Sequence, residues 1–385
     1  MTQTRVYLDH NASMPLRNEA RAAMAAALEL SANPSSVHAE GRKARQLVER
    51  ARRDVAALVG ADASRVVFTS GATEAAATLL TPNWTMGRAP LGFSRLYIGA
   101  TEHPCVASGG RFAPNQLRVI PVASGGLLDL AALADDLAHH DRASGLPLVA
   151  VQAANNETGV IQPITEIAAL VHAAGGTLVV DAVQAAGRLP LDLASGFGDY
   201  LILSGHKIGG PKGIGAIISS SDVMMPTPLI RGGGQERGYR GGTENLAGIA
   251  GFGAAAQAAR QELVGAGQLQ IRRDQLEAEI LRLVPDAVIH GVAAPRLPNT
   301  VFFTIPGMKA ETAQIAFDLA GAALSAGSAC SSGKVGPSHV LQAMGWTGEG
   351  ALRVSFGADT PDADLAHFTK ALGELAARKT ARHAA

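Results

Sequence analysis

The feature that most constrains this chain is a rhythm. Across its first two thirds, apolar runs of strand length at residues 65–69, 96–99, 148–153, 178–181 and 200–204 alternate with stretches of helical periodicity. That alternation predicts an α/β fold with a largely parallel sheet covered by helices. Residues 36–59 illustrate the helical part: Ala44, Leu47, Val48, Ala51, Val55 and Leu58 recur at three- and four-residue spacing, so one apolar face meets the sheet. A chain of 385 residues exceeds the roughly 250–300 that a single core usually fills, so two domains are expected. The boundary falls in the helical tract 244–283, which is interrupted near Gly265 and Gly267.

In open α/β sheets ligands sit outside the carboxyl ends of the strands, and three polar clusters stand at such ends here. They are Asn-Asn-Glu-Thr-Gly at 155–159, Val-Val-Asp-Ala-Val-Gln at 179–184 and Ser-Gly-His-Lys at 204–207. A lysine just past a buried strand, flanked by a hydroxyl and an imidazole, suits covalent catalysis through an imine. Read alone, Lys207 is as easily a surface lysine as Lys212 in the same glycine-rich turn, and Asp181 as easily a helix cap. Together they form the pair that pyridoxal phosphate needs: an amine for the imine and a carboxylate to keep the ring nitrogen protonated. The cap reading of Asp181 leaves Gln184, Ser204 and His206 unexplained. Upstream, Thr-Ser-Gly-Ala-Thr-Glu at 69–74 ends a strand and opens a helix, a place where free amides and the Thr73 hydroxyl can bind an anion. His103, in Thr-Glu-His-Pro at 101–104, gains meaning only in that company.

Charge and cysteine content narrow the partners. With 33 basic and 33 acidic side chains the formal charge is zero, which argues against nucleic acid or an anionic membrane as a main partner. The first ten residues lack an apolar signal region, and no run reaches the ~18 apolar residues of a membrane span. A soluble, cytoplasmic protein is expected. Two cysteines, Cys105 and Cys330, build neither a disulfide framework nor a four-thiolate metal site, and no metal is expected.

These motifs, in this order, resemble the cysteine desulfurases (NifS/IscS-like) of the class V aminotransferase superfamily of pyridoxal-phosphate enzymes. The resemblance runs nearly end to end. It adds Tyr-Leu-Asp at 7–9, Asn-Pro-Ser-Ser-Val-His at 33–38, Gly-Gly-Gly-Gln-Glu-Arg-Gly at 232–238, Arg-Gly-Gly-Thr-Glu-Asn at 240–245, Gly-Ser-Ala-Cys at 327–330 and Arg-Val-Ser-Phe-Gly at 353–357. It implies fold type I: a large domain over residues 15–262 with a mainly parallel seven-stranded sheet, and a smaller α+β domain made of residues 1–14 and 263–385. It further implies that Lys207 holds pyridoxal 5'-phosphate, with Asp181 on the pyridine nitrogen, His103 stacked on the ring and Gln184 near the phenolic oxygen. Phosphate would be held by the Ala72 amide, Thr73, Ser204 and His206, with Thr243 contributed by the other subunit of a homodimer. Asn156 and Arg353 would clamp the carboxylate of L-cysteine, His103 would move protons, and Cys330 would take the sulfur as a persulfide. The acceptor would be a protein such as an iron–sulfur scaffold.

One departure is minor: Ser13 is followed by Met14 where the family usually carries two hydroxyl residues. Residues 327–337, rich in Gly and Ser, resemble the long-loop branch of the family and are expected to carry sulfur outward. A selenocysteine lyase or another class V enzyme would share Lys207 and Asp181, and Cys330 is the discriminating residue. A degenerate partner protein in cluster assembly is the non-enzymatic alternative.

Overall fold

The structure, a computed structural model, describes residues 5–327 and 338–384. A short strand, β1 (Val6–Tyr7), precedes the main sheet, whose strands are β2 (Val66–Thr69), β3 (Asn83–Met86), β4 (Ala89–Gly99), β5 (Leu117–Ile120), β6 (Leu146–Gln152), β7 (Thr177–Asp181), β8 (Tyr200–Ser204), β9 (Gly215–Ser219) and β10 (Met224–Pro226). Their order is β10-β3-β4-β6-β7-β8-β9-β2, with β5 pairing the far half of β4. Strands β5, β4, β6, β7 and β8 run parallel, and β9 is antiparallel to both β8 and β2. These are the seven expected strands. The sheet carries two more, because β4 outruns the parallel region and its first half forms an antiparallel ladder with β3, which in turn pairs β10.

Side chains alternate across each strand, and here both faces are buried. Val149 and Val151, Leu178 and Val180, and Leu201 and Leu203 join one apolar cluster, together with Val48, Val55 and Phe252 from the covering helices. Their neighbours Leu148, Ala150, Val179, Tyr200 and Ile202 join a second cluster with Leu79, Trp84 and Phe93. Burial on both sides explains why these strands read as continuous apolar runs. The helix Ala39–Leu58 buries Ala44, Val48, Ala51, Val55 and Leu58, while Leu47 is half-buried. It packs on the helix Leu246–Glu262, and after a single 3-10 turn a third helix, Ala266–Leu283, continues the interrupted tract.

A separate apolar cluster gathers Val6, Leu8, Leu276, Ile280, Val301, Phe303, Phe317, Val354 and Phe368. It lies against a four-stranded antiparallel sheet of β11 (Val288–Ile289), β12 (Thr300–Thr304), β14 (Ser325–Ala326) and β15 (Leu352–Ser355), in the order β11-β12-β15-β14. The intervening strand β13 (Ala322–Ala323) pairs β1 in parallel. That pairing ties the N-terminal segment to the C-terminal third and starts residues 9–14 toward the carboxyl ends of the main sheet. No helix among the described residues is long and apolar enough to cross a membrane.

Candidate active site

Parallel pairing brings the ends of β6, β7 and β8 to one edge: Gln152 lies opposite Asp181, and Asp181 opposite Ile202, two residues before Ser204. A cleft of about 430 Å³ opens there. Ala72, Thr73, His103, Asn156, Asp181, Gln184, Ser204, His206 and Lys207, all expected from sequence, line it.

Beyond β8 the chain makes a 3-10 turn, Gly205–Lys207, closed by bonds from the Ile208 and Gly210 amides to the Gly205 carbonyl. The N-terminal segment lies over this turn. Met14 donates its amide to the His206 carbonyl at 2.9 Å, and Arg17 Nε donates to the Ile208 carbonyl at 2.8 Å. Lys207 Nζ donates to the carbonyls of Asn11 and Ala12 at 2.7 and 3.0 Å. The amine therefore rests on dipoles that point at it, on the floor of the cleft.

Asp181 accepts the Val183 amide through Oδ1 at 3.0 Å; burial pushes its pKa up to about 6, against the opposing pull of that amide and of Lys207. His103 is held near pKa 4 by burial and by the charges of Lys207 and His339, so it is neutral. Its Nδ1 accepts the Cys105 amide at 3.2 Å, a pattern that assigns the proton to Nε2. His206 is likewise lowered to about 4 by burial, then by Lys207 and Lys212. At the other end of the cleft the helix Ala72–Leu79 begins. The amides of its first turn have no intrahelical carbonyl to meet, which leaves Ala72 and Thr73 as donors. Ser70 and Gly71, by contrast, already donate to Glu74 Oε2 and Thr69 Oγ1. Gly215 allows this turn to sit close, since a Cβ there would stand 2.7 Å from Gly71 Cα.

Two expected site residues fall elsewhere, and a third is not among the described residues. Arg353, on β15, does not line the cleft; it reaches the loop behind it, donating to the Asn156 carbonyl and to Asp9 Oδ1, each at 2.7 Å, and to Ser325 Oγ at 3.1 Å. Thr243 lies in a neighbouring pocket with Glu236 and Arg240, which shares Ser70 and Gly213 with the cleft. Cys330 and all but the first residue of the expected sulfur-carrying segment, 327–337, lie outside the described residues.

Other residues reach the site without a motif signal strong enough to single them out. Lys212, offered above as a typical surface lysine, stands in the cleft wall. Arg188, fully buried, donates to the Gln184 carbonyl at 2.7 Å, to Gln184 Oε1 at 2.9 Å and to the Lys207 carbonyl at 3.2 Å, which fixes both neighbours. Burial raises Glu102 well above the usual carboxylate range, and its Oε1 accepts the Gln152 amide. Cys105 lines the cleft with its thiol also pushed up by burial. No cluster of His, Cys, Asp and Glu among the described residues is arranged to hold a metal.

The arrangement fits pyridoxal phosphate. Amide and hydroxyl donors gather where a phosphate would sit, a buried carboxylate ends the strand next to the lysine, and the imidazole of His103 offers a flat face. The aminotransferase class-V family model matches residues 6–368. A cysteine desulfurase from Frankia sp. is 40% identical, over 98% of this chain and 91% of its own length. An IscS-like cysteine desulfurase of Mycobacterium tuberculosis is 36% identical, over 98% of each chain. The solved structure of a NifS-like protein from Rickettsia africae superposes with a TM-score of 0.86 at 33% identity, covering 96% of this chain and 99% of that one. The chain belongs to the aminotransferase class-V family, among its cysteine desulfurases.

Proposed function

We propose that this enzyme uses pyridoxal 5'-phosphate to convert L-cysteine to L-alanine and captures the sulfur as a persulfide on Cys330. The observation that carries the reading is the pairing of Asp181 and Lys207 at the ends of adjacent parallel strands in one cleft, opposite an open helix N-terminus. Ala72, Thr73, Ser204 and His206 would hold the phosphate and Asp181 the ring nitrogen. His103 would lie on the ring and Gln184 near its phenolic oxygen. Lys207 would carry the covalent link. Bound there, the cofactor supplies an electron sink for the carbon that loses its proton.

The chain's own groups do the rest. Lys207 removes the Cα proton of cysteine, held in place by its carbonyl cradle. Asn156 and Arg353 bind the substrate carboxylate, Asn156 from the cleft wall and Arg353 by exchanging its bonds to Asp9 and Ser325 behind the cleft for the carboxylate, a match for a guanidinium. The Cys330 thiolate attacks the substrate Sγ: the new S–S bond forms, the Cβ–Sγ bond breaks, and the electron pair left on Cβ takes up a proton. His103, neutral with its proton on Nε2, is suited to deliver that proton.

The same reading includes a homodimer, with Thr243 of one subunit completing the phosphate site of the other. It includes a division into residues 15–262 and residues 1–14 with 263–385, which the separate apolar clusters support. A protein acceptor such as an iron–sulfur scaffold takes the sulfur. The reducing cytoplasm suits a chain with only two cysteines. The test is mass spectrometry of Cys330 after addition of cysteine, with candidate acceptors supplied one at a time. One added sulfur at Cys330, absent in Lys207→Ala, is the expected result. Full-rate sulfide release by Cys330→Ala would overturn the assignment.

A further inference from the structure

Glu157 is part of the Asn-Asn-Glu-Thr-Gly motif, yet it does not line the cleft and is only 3% exposed. Its Oε2 accepts the Ser338 hydroxyl at 2.5 Å. The Ser338 oxygen in turn accepts the Leu341 amide at 3.1 Å and caps the helix His339–Ala343. Gly327 approaches the same carboxyl from the other side: a Cβ there would stand 3.3 Å from Glu157 Oε2 and 2.9 Å from Cζ of Phe302. Gly327 is anchored by its amide to the Ala351 carbonyl at 2.7 Å, and His339 Nε2 meets the Glu102 carbonyl at 3.0 Å.

The loop that presents Glu157 is itself fixed. Asn155 Oδ1 accepts the amides of Glu157 and Thr158, both at 2.9 Å, and Asn155 Nδ2 donates to the Thr101 carbonyl at 3.1 Å. One buried carboxyl thus bonds Ser338 and faces Gly327 with no room for a side chain between them, and these two residues flank 328–337, the stretch containing Cys330. Burying a carboxyl is costly unless it is hydrogen-bonded, and burial pushes this one up to about 7 while Ser338 and Arg353 pull it down. An apolar side chain would fill the space at lower cost. What it could not do is hold the Ser338 hydroxyl in the one rotamer that also caps the following helix.

We propose that Glu157 is a positioning residue for the sulfur-accepting step, tying Ser338 to the loop behind the cleft, beside Gly327, so that Cys330 works from a fixed base. This rests on the assignment of Cys330 as the sulfur acceptor. Covalent geometry sets the scale: three residues from Gly327 to Cys330 span at most about 10 Å.

The test separates events in the cleft from events at Cys330. In the cofactor-loaded enzyme, stopped-flow absorbance follows the spectral change when cysteine enters the cleft, and quenched-flow mass spectrometry follows persulfide on Cys330. Glu157→Ala is expected to keep the cofactor band and the first spectral change, and to slow persulfide formation roughly tenfold or more, the loss expected for a hydrogen bond to a charged group. Ser338→Ala should do the same, and the double variant should be no slower than either single one. Glu157→Gln, which still accepts from Ser338, should recover most of the rate. In the cofactor-free protein, amide exchange of the peptide 338–344 should accelerate in Glu157→Ala.

Loss of the first spectral change in Glu157→Ala would overturn the proposal, because the residue would then act through the cleft. Additive losses in the double variant would overturn it too. If Glu157→Ala fails to fold, Ser338→Ala and Glu157→Gln carry the same comparison. Full-rate sulfide release by Cys330→Ala would instead defeat the nucleophile assignment, leaving the exchange result as an independent measure of the tie.

Discussion

Replacing Asp181 with asparagine sets stability against function at a single atom. Asp181 is buried at the end of β7, and burial moves its carboxyl from 3.8 up to about 6, with the Val183 amide and Lys207 pulling the other way. In the cofactor-free protein the folded state therefore keeps a proton that the unfolded state has released. Stability falls as pH rises from about 4 through about 6, and the whole penalty is present above that window. A displacement of that size is worth about 3 kcal/mol. Asp181→Asn retains an Oδ1 acceptor for the Val183 amide, now 3.0 Å away, and removes the charge. In urea unfolding of cofactor-free protein the variant should be more stable by about 3 kcal/mol near pH 8, with the difference shrinking toward zero near pH 4. Addition of pyridoxal phosphate should reverse the order, since only the parent presents a carboxylate to the ring nitrogen. Equal stabilities near pH 8 would refute the desolvation argument, and undiminished cofactor affinity in the variant would refute the role of Asp181.

Arg52→Ala should cost about 3–5 kcal/mol in denaturant unfolding. The change leaves Glu236, which meets Arg52 through two bonds of 2.8 Å and also accepts the Phe68 amide, as an unpaired buried carboxylate. The double variant Arg52→Met with Glu236→Gln should recover part of that loss. Burial keeps the Cys105 thiol protonated at neutral pH, so brief alkylation near pH 7 should leave Cys105 unmodified in peptide mass maps, and rapid labelling would contradict the burial argument. His290, buried with Nε2 at 2.8 Å from Thr304 Oγ1, is lowered from 6.5 to about 4. Unfolding therefore takes up a proton between those values and stability drops as pH falls through them. His290→Gln should flatten that slope by up to about 3 kcal/mol in unfolding measured from pH 7 down to pH 4.

How much of this was legible in the sequence follows a physical line. Groups positioned by their own strand or helix could be read: Asp181, Ser204 and Lys207 announce themselves because a buried strand must end somewhere, and polar residues mark the end. The opening of the helix Ala72–Leu79 was legible for the same reason. Partners that arrive from remote parts of the chain were not. Nothing in residues 9–12 reveals that the Asn11 and Ala12 carbonyls receive Lys207 Nζ, almost 200 residues away in sequence, because a carbonyl has no signature. Arg188 was passed over because a lone arginine after an apolar turn looks like surface. Lys212 was discounted on the correct base rate that most loop lysines are solvated. The extra strands β3 and β10 were missed because Trp84, Met86 and Met225 sit among turn residues and form no run.

Burial also sets the charge states that decide how the cleft works. Burial holds His103 and His206 neutral and raises Glu102 well above the usual carboxylate range, which weakens any repulsion of a bound anion by that carboxyl. The influences that lower His206 are burial first, then Lys207 and Lys212, both of which follow it in sequence. A phosphate entering between the open helix turn and these lysines therefore meets donors and positive charge, with Glu74 of that turn held by the Ser70 amide and by Arg240 and Asp181 set at the end of β7. The polarity of the cleft thus supports the proposed orientation, with phosphate toward Ala72 and ring nitrogen toward Asp181. The cleft's own cysteine is held as a thiol, which supports the proposal that Cys330 makes the attack on sulfur.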